Sequence, residues 1–393
     1  MEKKQILALF VCNLAIMTVG AGLGPLLPVY ATRLGADPTA AGFFIAIAFL
    51  ALAAGALTAG WVSDRLRCRK LPLIMSGALP VLTTWLMGQA TSVWLLTVLT
   101  ALTWFLGSMV LAFVSILAGL SAREDERGRV FGLLGLAGGL GALIGSLVLG
   151  YAADRWGYSA MLSLTAAIPL LTPLAGTLLT EKQVERARGE AAPAGLAGGV
   201  RLGQSFRFLF AGCLVCAASG SMVGLVRSLR MDSLGFGATE IASTGAVGGI
   251  IAMPVPLLAG WLSDRGGRKP FLYLAYLGTL ASLAGLAVAT SLWHFWVVMA
   301  LGAAFGFGSA VGNALVTDLV PPAALARGLS LYTAAGWLGA VLGYAITGAL
   351  LQGLGAVPTL LVGMSLVLFA TALLIPIRTR SRDAVLITPT GAT

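Results

Sequence analysis

Charged residues stand between two long apolar runs in the segment Gly260–Lys269 (GWLSDRGGRK). A second copy lies 200 positions upstream at Gly60–Lys70 (GWVSDRLRCRK), and the two copies agree closely up to the arginine. A carboxylate at a helix end is stabilised by the positive N-terminus of a neighbouring helix, while arginine and lysine pair with carboxylates on adjacent loops. The pattern therefore predicts charge contacts at helix ends. The acidic candidates on adjacent loops are Glu124, Asp125, Glu126 and Asp318.

Each copy is followed by a weaker echo of itself. Gly150–Gly157 (GYAADRWG) begins 90 residues after the start of the first copy. Gly348–Gly353 (GALLQG) begins 88 residues after the start of the second copy and has lost the charges. Four related segments at this spacing indicate a duplicated chain.

The pattern G-x-L/V-S-D-R-x-G-R-K at the end of an apolar helix resembles the signature of the major facilitator superfamily. That family carries the signature between helices two and three and again between helices eight and nine; the first copy here departs from it at Arg67 and Cys68. The resemblance implies an all-α membrane protein with twelve transmembrane helices in two six-helix halves. It also implies that the signature holds the cytoplasmic side shut in the outward-open state. The gate residues it implies are Asp64, Arg65, Asp264, Arg265, Arg268 and Lys269.

The composition excludes an ordinary soluble domain. The chain is 58% hydrophobic and 10% charged, with a mean hydropathy of +0.94, and so few charges cannot cover a surface in water. The net charge of +10 comes from basic residues spread over short loops, which favours membrane orientation over nucleic-acid binding. Cys213 and Cys216 have C-x-x-C spacing within an apolar helix; metal or redox chemistry is one interpretation, and helix packing is the favoured one.

Uncharged runs of about 20 residues are long enough to cross a bilayer, and the chain contains twelve such predicted spans. Residues 1–180 form the first half, residues 181–207 form a charged linker, and residues 208–393 form the second half with a short tail. The tails and the loops on their side hold 21 of the 25 Lys and Arg residues. The positive-inside rule therefore places both termini in the cytoplasm. The four basic residues on the opposite face are Arg33, Arg155, Arg227 and Arg230.

The resemblance implies a substrate site lined by helices one, four, seven and ten, near the middle of the membrane. The polar and aromatic residues that those helices offer are Asn13, Trp104, Phe105, Ser219, Ser221, Arg227, Phe307 and Asn313. Each has a structural alternative: the aromatic rings can pack against neighbours or lipid, and asparagine can bond a helix backbone. Arg227 can instead extend to the outer interface.

All fifteen acidic residues fall in loops or at helix ends, so no carboxylate is expected at mid-membrane. Helix four also lacks the intramembrane arginine of the family's proton-coupled drug exporters. A cation held in the cavity would lack a compensating carboxylate, and an unpaired charge in a membrane is costly. The expected substrate is therefore neutral, amphiphilic or anionic.

The sequence predicts a secondary transporter of a small organic molecule that works by alternating access. Helix five keeps part of the pattern of the family's antiporters, Gly141-x-x-x-Gly145, and the retained part favours an exporter. Ser146 and Leu149 depart from that pattern. A facilitator or symporter for an organic anion or sugar is the alternative, and a non-transporting receptor or scaffold is a remote one. We expect a monomer in the lipid bilayer of the inner membrane. A coupling proton or other ion is an open question, while enzymatic activity, cofactor, metal and nucleic acid are not expected.

Overall fold

The computed structural model describes residues 3–65, 69–122, 126–179, 202–321 and 324–377. Within these ranges the regular structure is entirely helical, in agreement with the predicted all-α class. The helices are α1 (Lys3–Leu23), α2 (Leu27–Arg33), α3 (Pro38–Arg65), α4 (Lys70–Gly88), α5 (Val93–Ser121), α6 (Arg127–Thr165), a 3₁₀ turn (Ile168–Leu170), α7 (Leu171–Thr177), α8 (Gln204–Ser233), α9 (Ala238–Ala252), α10 (Val255–Gly266), α11 (Arg268–Val288), α12 (Leu292–Gly302), α13 (Ala304–Leu319), α14 (Leu325–Leu354) and α15 (Ala356–Ala372).

These helices form the twelve predicted spans. The spans are helical because a backbone in lipid must satisfy its hydrogen bonds within its own segment. Eight helical stretches of the described chain are long and apolar enough to cross a membrane. One of them, Arg129–Thr177, holds two spans joined at Gly157, where a φ of +82° suits glycine. The other three spans are α9 with α10, α12 with α13, and α15. The predicted turn between the third and fourth spans is confirmed, since α4 ends at Gly88 and α5 begins at Val93.

The predicted boundary between the halves lies mostly outside the described residues. Residues 180–201, which include most of the predicted linker 181–207, lie outside the described residues. The helix α8 begins at Gln204, within the predicted linker. The predicted division into residues 1–180, 181–207 and 208–393 stays a prediction.

Each half packs mainly on itself, and the two halves meet along two pairs of helices. In the first half α1 packs on α6 and α3 packs on α5, while in the second half α8 packs on α14 and α11 packs on α13. Between the halves α6 lies along α9, and α3 lies along α14. We call the side where α1 and α8 begin the tail side, and the side where α3 and α9 begin the far side.

Glycines allow close helix contacts both within and between the halves. Gly141 of α6 lies against the backbone of α1, where an added Cβ would be 2.8 Å from the carbonyl oxygen of Leu14. Across the halves, a Cβ at Gly150 would be 2.8 Å from the Cβ of Ala242, and one at Gly42 would be 2.8 Å from the Cα of Gly348. Small residues are the usual means of such close approach in lipid.

We expect Gly141→Ala to destabilise the protein, because the new methyl group would overlap the backbone of α1. Overpacking of this kind costs about 1–3 kcal/mol. The measurement is the midpoint of thermal unfolding of the purified protein in detergent.

Gly132→Ala is the matched control on the same helix, because no atom of another described helix lies within 4 Å of a Cβ at Gly132. There the gain in helix propensity should leave stability unchanged or raise it by up to about 1 kcal/mol. Equal midpoints for the two variants would contradict the described contact.

Candidate functional site

A cavity of about 480 Å³ lies in the second half at its boundary with the first half. Residues of α8, α11, α12, α13 and α14 line it, and Phe49 of α3 is the contribution of the first half. Most of the wall is apolar or small. The polar groups among the lining residues include Arg227, Tyr276, Asn313 and Tyr344.

Arg227 lies in the cavity wall and is only 6% exposed. Its Nη1 is directed at the sulfur of Met299, and its Nε has no hydrogen-bond partner among the described residues. The side chain therefore does not reach the outer interface, which was the structural alternative. It places a buried guanidinium at the cavity.

Four aromatic rings meet at the boundary between the halves. The ring of Phe49 packs edge-on against Trp104, with ring centroids 5.2 Å apart. It also stacks on Tyr344 at 5.0 Å and lies 6.0 Å from Trp337, both on α14. Offset and edge-on arrangements of this kind are the favoured ones for aromatic pairs. Three of these rings, Phe49, Trp337 and Tyr344, form the part of the cavity wall that both halves share.

The structure brings only some of the predicted substrate-binding residues to the cavity. Arg227, Ser221 and Asn313 line it. Trp104 contacts it through Phe49.

The other predicted residues lie elsewhere. Asn13 donates from Nδ2 to the carbonyl of Leu134 at 2.6 Å and so joins α1 to α6, which was its structural alternative. Ser219 is fully buried and donates to the carbonyl of Val215, and Phe105 packs against the core of the first half. The side chain of Phe307 lies outside the described residues.

Sequence reasoning missed the aromatic residues that α3, α11 and α14 contribute. Phe49, Tyr276, Tyr332, Trp337 and Tyr344 line the cavity, although these helices were not among the four considered. The available signal was the set of tyrosines in otherwise aliphatic helices. Tyrosine hydroxyls buried in lipid or protein usually serve a polar partner.

On the far side, a carboxylate of the first half caps a helix of the second half. Asp154 Oδ1 accepts a hydrogen bond from the backbone N–H of Ala238 at 2.7 Å, and Oδ2 accepts one from Thr239 at 2.8 Å. A carboxylate at this position satisfies otherwise unpaired N–H groups and complements the helix dipole. We call this contact the Asp154 cap. It lies in the first echo of the repeated motif.

Other contacts close the far side around the Asp154 cap. Arg33 Nη2 pairs with Asp232 at 2.7 Å and joins α2 to α8. The hydroxyl of Thr39 donates to the carbonyl of Gly348 at 3.4 Å and joins α3 to α14. The halves are therefore in contact on the far side.

On the tail side, the described contacts of the signature residues stay within one half. Arg268 pairs with Asp318 at 2.6 Å, as the sequence predicted for Asp318. Lys269 donates to the carbonyls of Ile375 and Ile377 at 2.8 and 3.0 Å, beyond the end of α15. Lys70 has the same role in the first half, where it bonds the carbonyls of Thr177 and Leu179.

The two signature arginines lie over neighbouring tryptophan rings. The Cζ of Arg65 is 5.3 Å from the ring centroid of Trp61, and that of Arg265 is 4.1 Å from the ring of Trp261. These are cation–π contacts within one helix. The side chains of Asp64 and Asp264, and Glu124 and Asp125, lie outside the described residues.

The two segments of the eighth span, α9 and α10, pack on different halves. Its far-side segment, α9, lies along α6 of the first half. Its tail-side segment, α10, packs on α11 and α13 of its own half. The structure is therefore closed on the far side by contacts between the halves, whereas the described packing of α10 on the tail side is within the second half.

Comparison with known proteins gives a consistent result. A family model described as Major Facilitator Superfamily matches residues 9–310 and 208–390. The chain is 29% identical over 323 residues to multidrug resistance protein MdtG of Serratia proteamaculans (strain 568), covering 76% of each chain. It is 27% identical over 297 residues to MdtG of Citrobacter koseri, covering 72% of each.

Solved structures share the fold at low sequence identity. The nucleoside transporter NupG superposes with a TM-score of 0.78 and 15% identity, over 95% of this chain and 98% of that one. A bacterial homologue of the lysosomal transporter Spinster, in an inward-facing and unoccupied conformation, gives 0.72 and 15%, over 95% and 97%.

We expect Asp154→Ala to shift the protein toward a state with its tail side closed, because the substitution uncaps α9 only in the far-closed state. Losing an N-cap costs about 0.5–2 kcal/mol, which is roughly a two- to thirtyfold change in the population ratio. Spin labels at the exposed Leu71 and Leu274, one in each half on the tail side, report the distance between halves. The fraction of short distances should rise.

Arg33→Gln is the comparison on the same side, because it breaks an ion pair in which Arg33 is 62% exposed. Exposed pairs contribute only about 0–1 kcal/mol, so this variant should shift the distances less. An unchanged distance distribution in Asp154→Ala would show that the cap does not hold the far side shut.

Proposed function

The chain belongs to the major facilitator superfamily, and from that premise we propose that it exports small organic molecules as a secondary transporter by alternating access. It is a multi-pass protein of the inner, or plasma, membrane. The observation that carries the proposal is the cavity between the halves, which is closed on one side by contacts between those halves. A site at the interface of two pseudo-equivalent halves is where transporters of this type hold a solute.

The repeated motif supplies a contact for each of the two closed states. Asp154 at the end of the fifth span caps the start of the eighth span on the far side. The duplication predicts a matching pair of positions on the tail side. Asp264 lies at the end of the eighth span, and the start of α6, which begins the fifth span, is its counterpart. By the same relation, Asp64 at the end of α3 is matched with the start of α14. We propose that Asp64 and Asp264 cap these helices when the tail side closes.

We further propose that the tail side faces the cytoplasm, so that the described conformation is open to the inside. The support is the distribution of 21 of the 25 basic residues on the tail side and its loops. An inward-open cavity lets an exporter load its substrate from the cytoplasm or from the adjacent leaflet.

Export as the direction of transport is supported by the relatives, which are named multidrug resistance proteins. The glycines of α6 that contact α1 and α9 match part of the pattern of the family's antiporters. A facilitator or symporter for an organic anion is the second candidate, and the buried Arg227 in the cavity wall favours it.

We expect the purified protein, reconstituted into vesicles, to move organic solutes of a chemically diverse panel down or against an imposed ion gradient. Asp264→Asn should slow this transport several-fold and lengthen the tail-side distance between labels at Leu71 and Leu274, opposite in sign to Asp154→Ala. The physical reason is loss of charge–dipole stabilisation worth about 0.3–1 kcal/mol in the tail-closed state.

Asp318→Asn is the control for Asp264→Asn, because Asp318 pairs with Arg268 of its own half. It should leave the label distances unchanged. Vesicles in which the wild-type protein moves no solute under any gradient would refute the transporter proposal and favour a receptor or scaffold.

The topology proposal has its own test, since labelling of single cysteines does not depend on transport. Asp37→Cys lies between α2 and α3 on the far side and should react with a membrane-impermeant reagent added outside intact cells. Gly195→Cys in the predicted linker should react only after the cells are permeabilised. Labelling of Gly195→Cys from outside would overturn the orientation.

A further inference from the structure

We propose that the cavity binds organic anions with an apolar or aromatic body, and that Arg227 is the group that binds their negative charge. The inference rests on the proposed transport function and adds the substrate class. The shared chemistry of the class is an oxyanion, such as a carboxylate, joined to a hydrophobic group.

The first step is the burial of Arg227 without a counter-charge. The guanidinium is 6% exposed, and no carboxylate of the described residues forms an ion pair with it. The far-side carboxylates are engaged elsewhere: Asp154 caps α9, Asp232 pairs with Arg33, and Glu240 accepts from the backbone N–H of Gly237. Arginine remains charged in proteins, so the positive charge stays in the wall of the cavity.

The second step is the cost of that arrangement. A buried charge without a partner is strongly unfavourable, and removing one partner of a buried pair is far more costly than removing both. An anion entering the cavity would supply the missing partner. The guanidinium presents its N–H donors as a planar fork that matches the two oxygens of a carboxylate; Nε has no partner among the described residues, and Nη1 faces only the weak acceptor sulfur of Met299.

The third step is the contrast with Arg230, one helical turn further along α8. Arg230 is only half-buried, and its Nη1 donates to the carbonyl of Ala287 at 3.1 Å. It is absent from the residues that line the cavity. The two arginines of α8 therefore have different surroundings, and Arg230 provides a matched control.

The rest of the wall fits an apolar body. The rings of Phe49, Trp337 and Tyr344 lie on the same side of the cavity as the boundary between the halves. Tyr276 also lines the cavity, and its hydroxyl, a second donor, is buried without a hydrogen-bond partner among the described residues.

The two donors are far apart. The hydroxyl of Tyr276 lies beside Gly212, and Gly212 and Arg227 are about 22 Å apart along a helix that rises 1.5 Å per residue. The cavity therefore has its positive charge toward the far side, with apolar wall and a neutral hydroxyl toward the tail side. This polarity suits an elongated amphiphile that enters from the tail side with its anionic group first.

The experiment compares three probes that share one ring system and differ in charge: 1-naphthylacetate, 1-naphthylacetamide and 1-naphthylethylammonium. Equilibrium binding of each radiolabelled probe to the purified full-length protein is measured near neutral pH by scintillation proximity. We expect the carboxylate to bind at least about tenfold more tightly than the amide, as a charge-assisted hydrogen bond implies. The ammonium compound should bind most weakly.

Arg227→Gln should remove the preference for the carboxylate over the amide and leave the affinity for the amide nearly unchanged. Arg227→Lys keeps the charge and should retain part of the preference. Arg230→Gln, which removes the same charge one turn away, should behave like the wild type. Thermal unfolding of each variant shows whether it is folded.

Several results would overturn the inference. They are equal binding of the carboxylate and the amide by the wild type, saturable binding of the ammonium compound alone, absence of saturable carboxylate binding, and an equal loss of preference in Arg230→Gln and Arg227→Gln. The wild-type comparison does not depend on any variant folding. Because binding is measured without transport, a charge preference in a protein that moves no solute would refute the transporter proposal and leave the anion site standing.

Discussion

A carboxylate at the N-terminus of a helix from the other half is the interaction on which the described conformation depends. The Asp154 cap joins α6 to α9 by two hydrogen bonds, of 2.7 and 2.8 Å, to backbone N–H groups that have no partner within their own helix. The contact is directional and lies at the far-side ends of its two helices. It can therefore break without exposing apolar core, and the cost of opening the far side is confined to a few polar contacts.

The duplication gives this interaction four related positions. Two ends of spans, at Asp64 and Asp264, lie on the tail side, and two, at Asp154 and Gln352, lie on the far side. The fourth position has lost its charge, and Gln352 reaches Asp37 at 3.5 Å instead. Far-side closure thus combines one charged cap with an exposed ion pair and glycine packing between α3 and α14. The repeated motif is best understood as one helix-end contact used for both states.

The sequence was sufficient for the fold and insufficient for the cavity, for a physical reason. Span number and the turn after Gly88 follow from the lengths of apolar runs, since lipid leaves the backbone no other structure. The direction of a side chain depends on how each helix is rotated by its neighbours, which the sequence does not specify. Asn13 therefore bonds the backbone of α6, while Phe49 and Tyr276 of unconsidered helices line the cavity. The position of Arg227 along its helix was predictable from the sequence, whereas the direction of its side chain was not.

Because charged residues are scarce in the membrane-spanning segments, Arg227 is informative about what the cavity binds. The same scarcity constrains the mechanism of transport. A transporter that alternates between two states needs contacts in each state that are similar in strength, because a strong contact in one state would trap it there. Helix-end caps and exposed ion pairs, at about 0.5–2 and 0–1 kcal/mol, are in the suitable range. A buried guanidinium that lines the same cavity as rings of both halves, Phe49 and Tyr344, is a different kind of contact. A substrate anion that neutralises the charge of Arg227 and touches both rings changes the energy of the cavity wall that the two halves share. Its binding can therefore shift the balance between two conformational states that the caps keep close in energy.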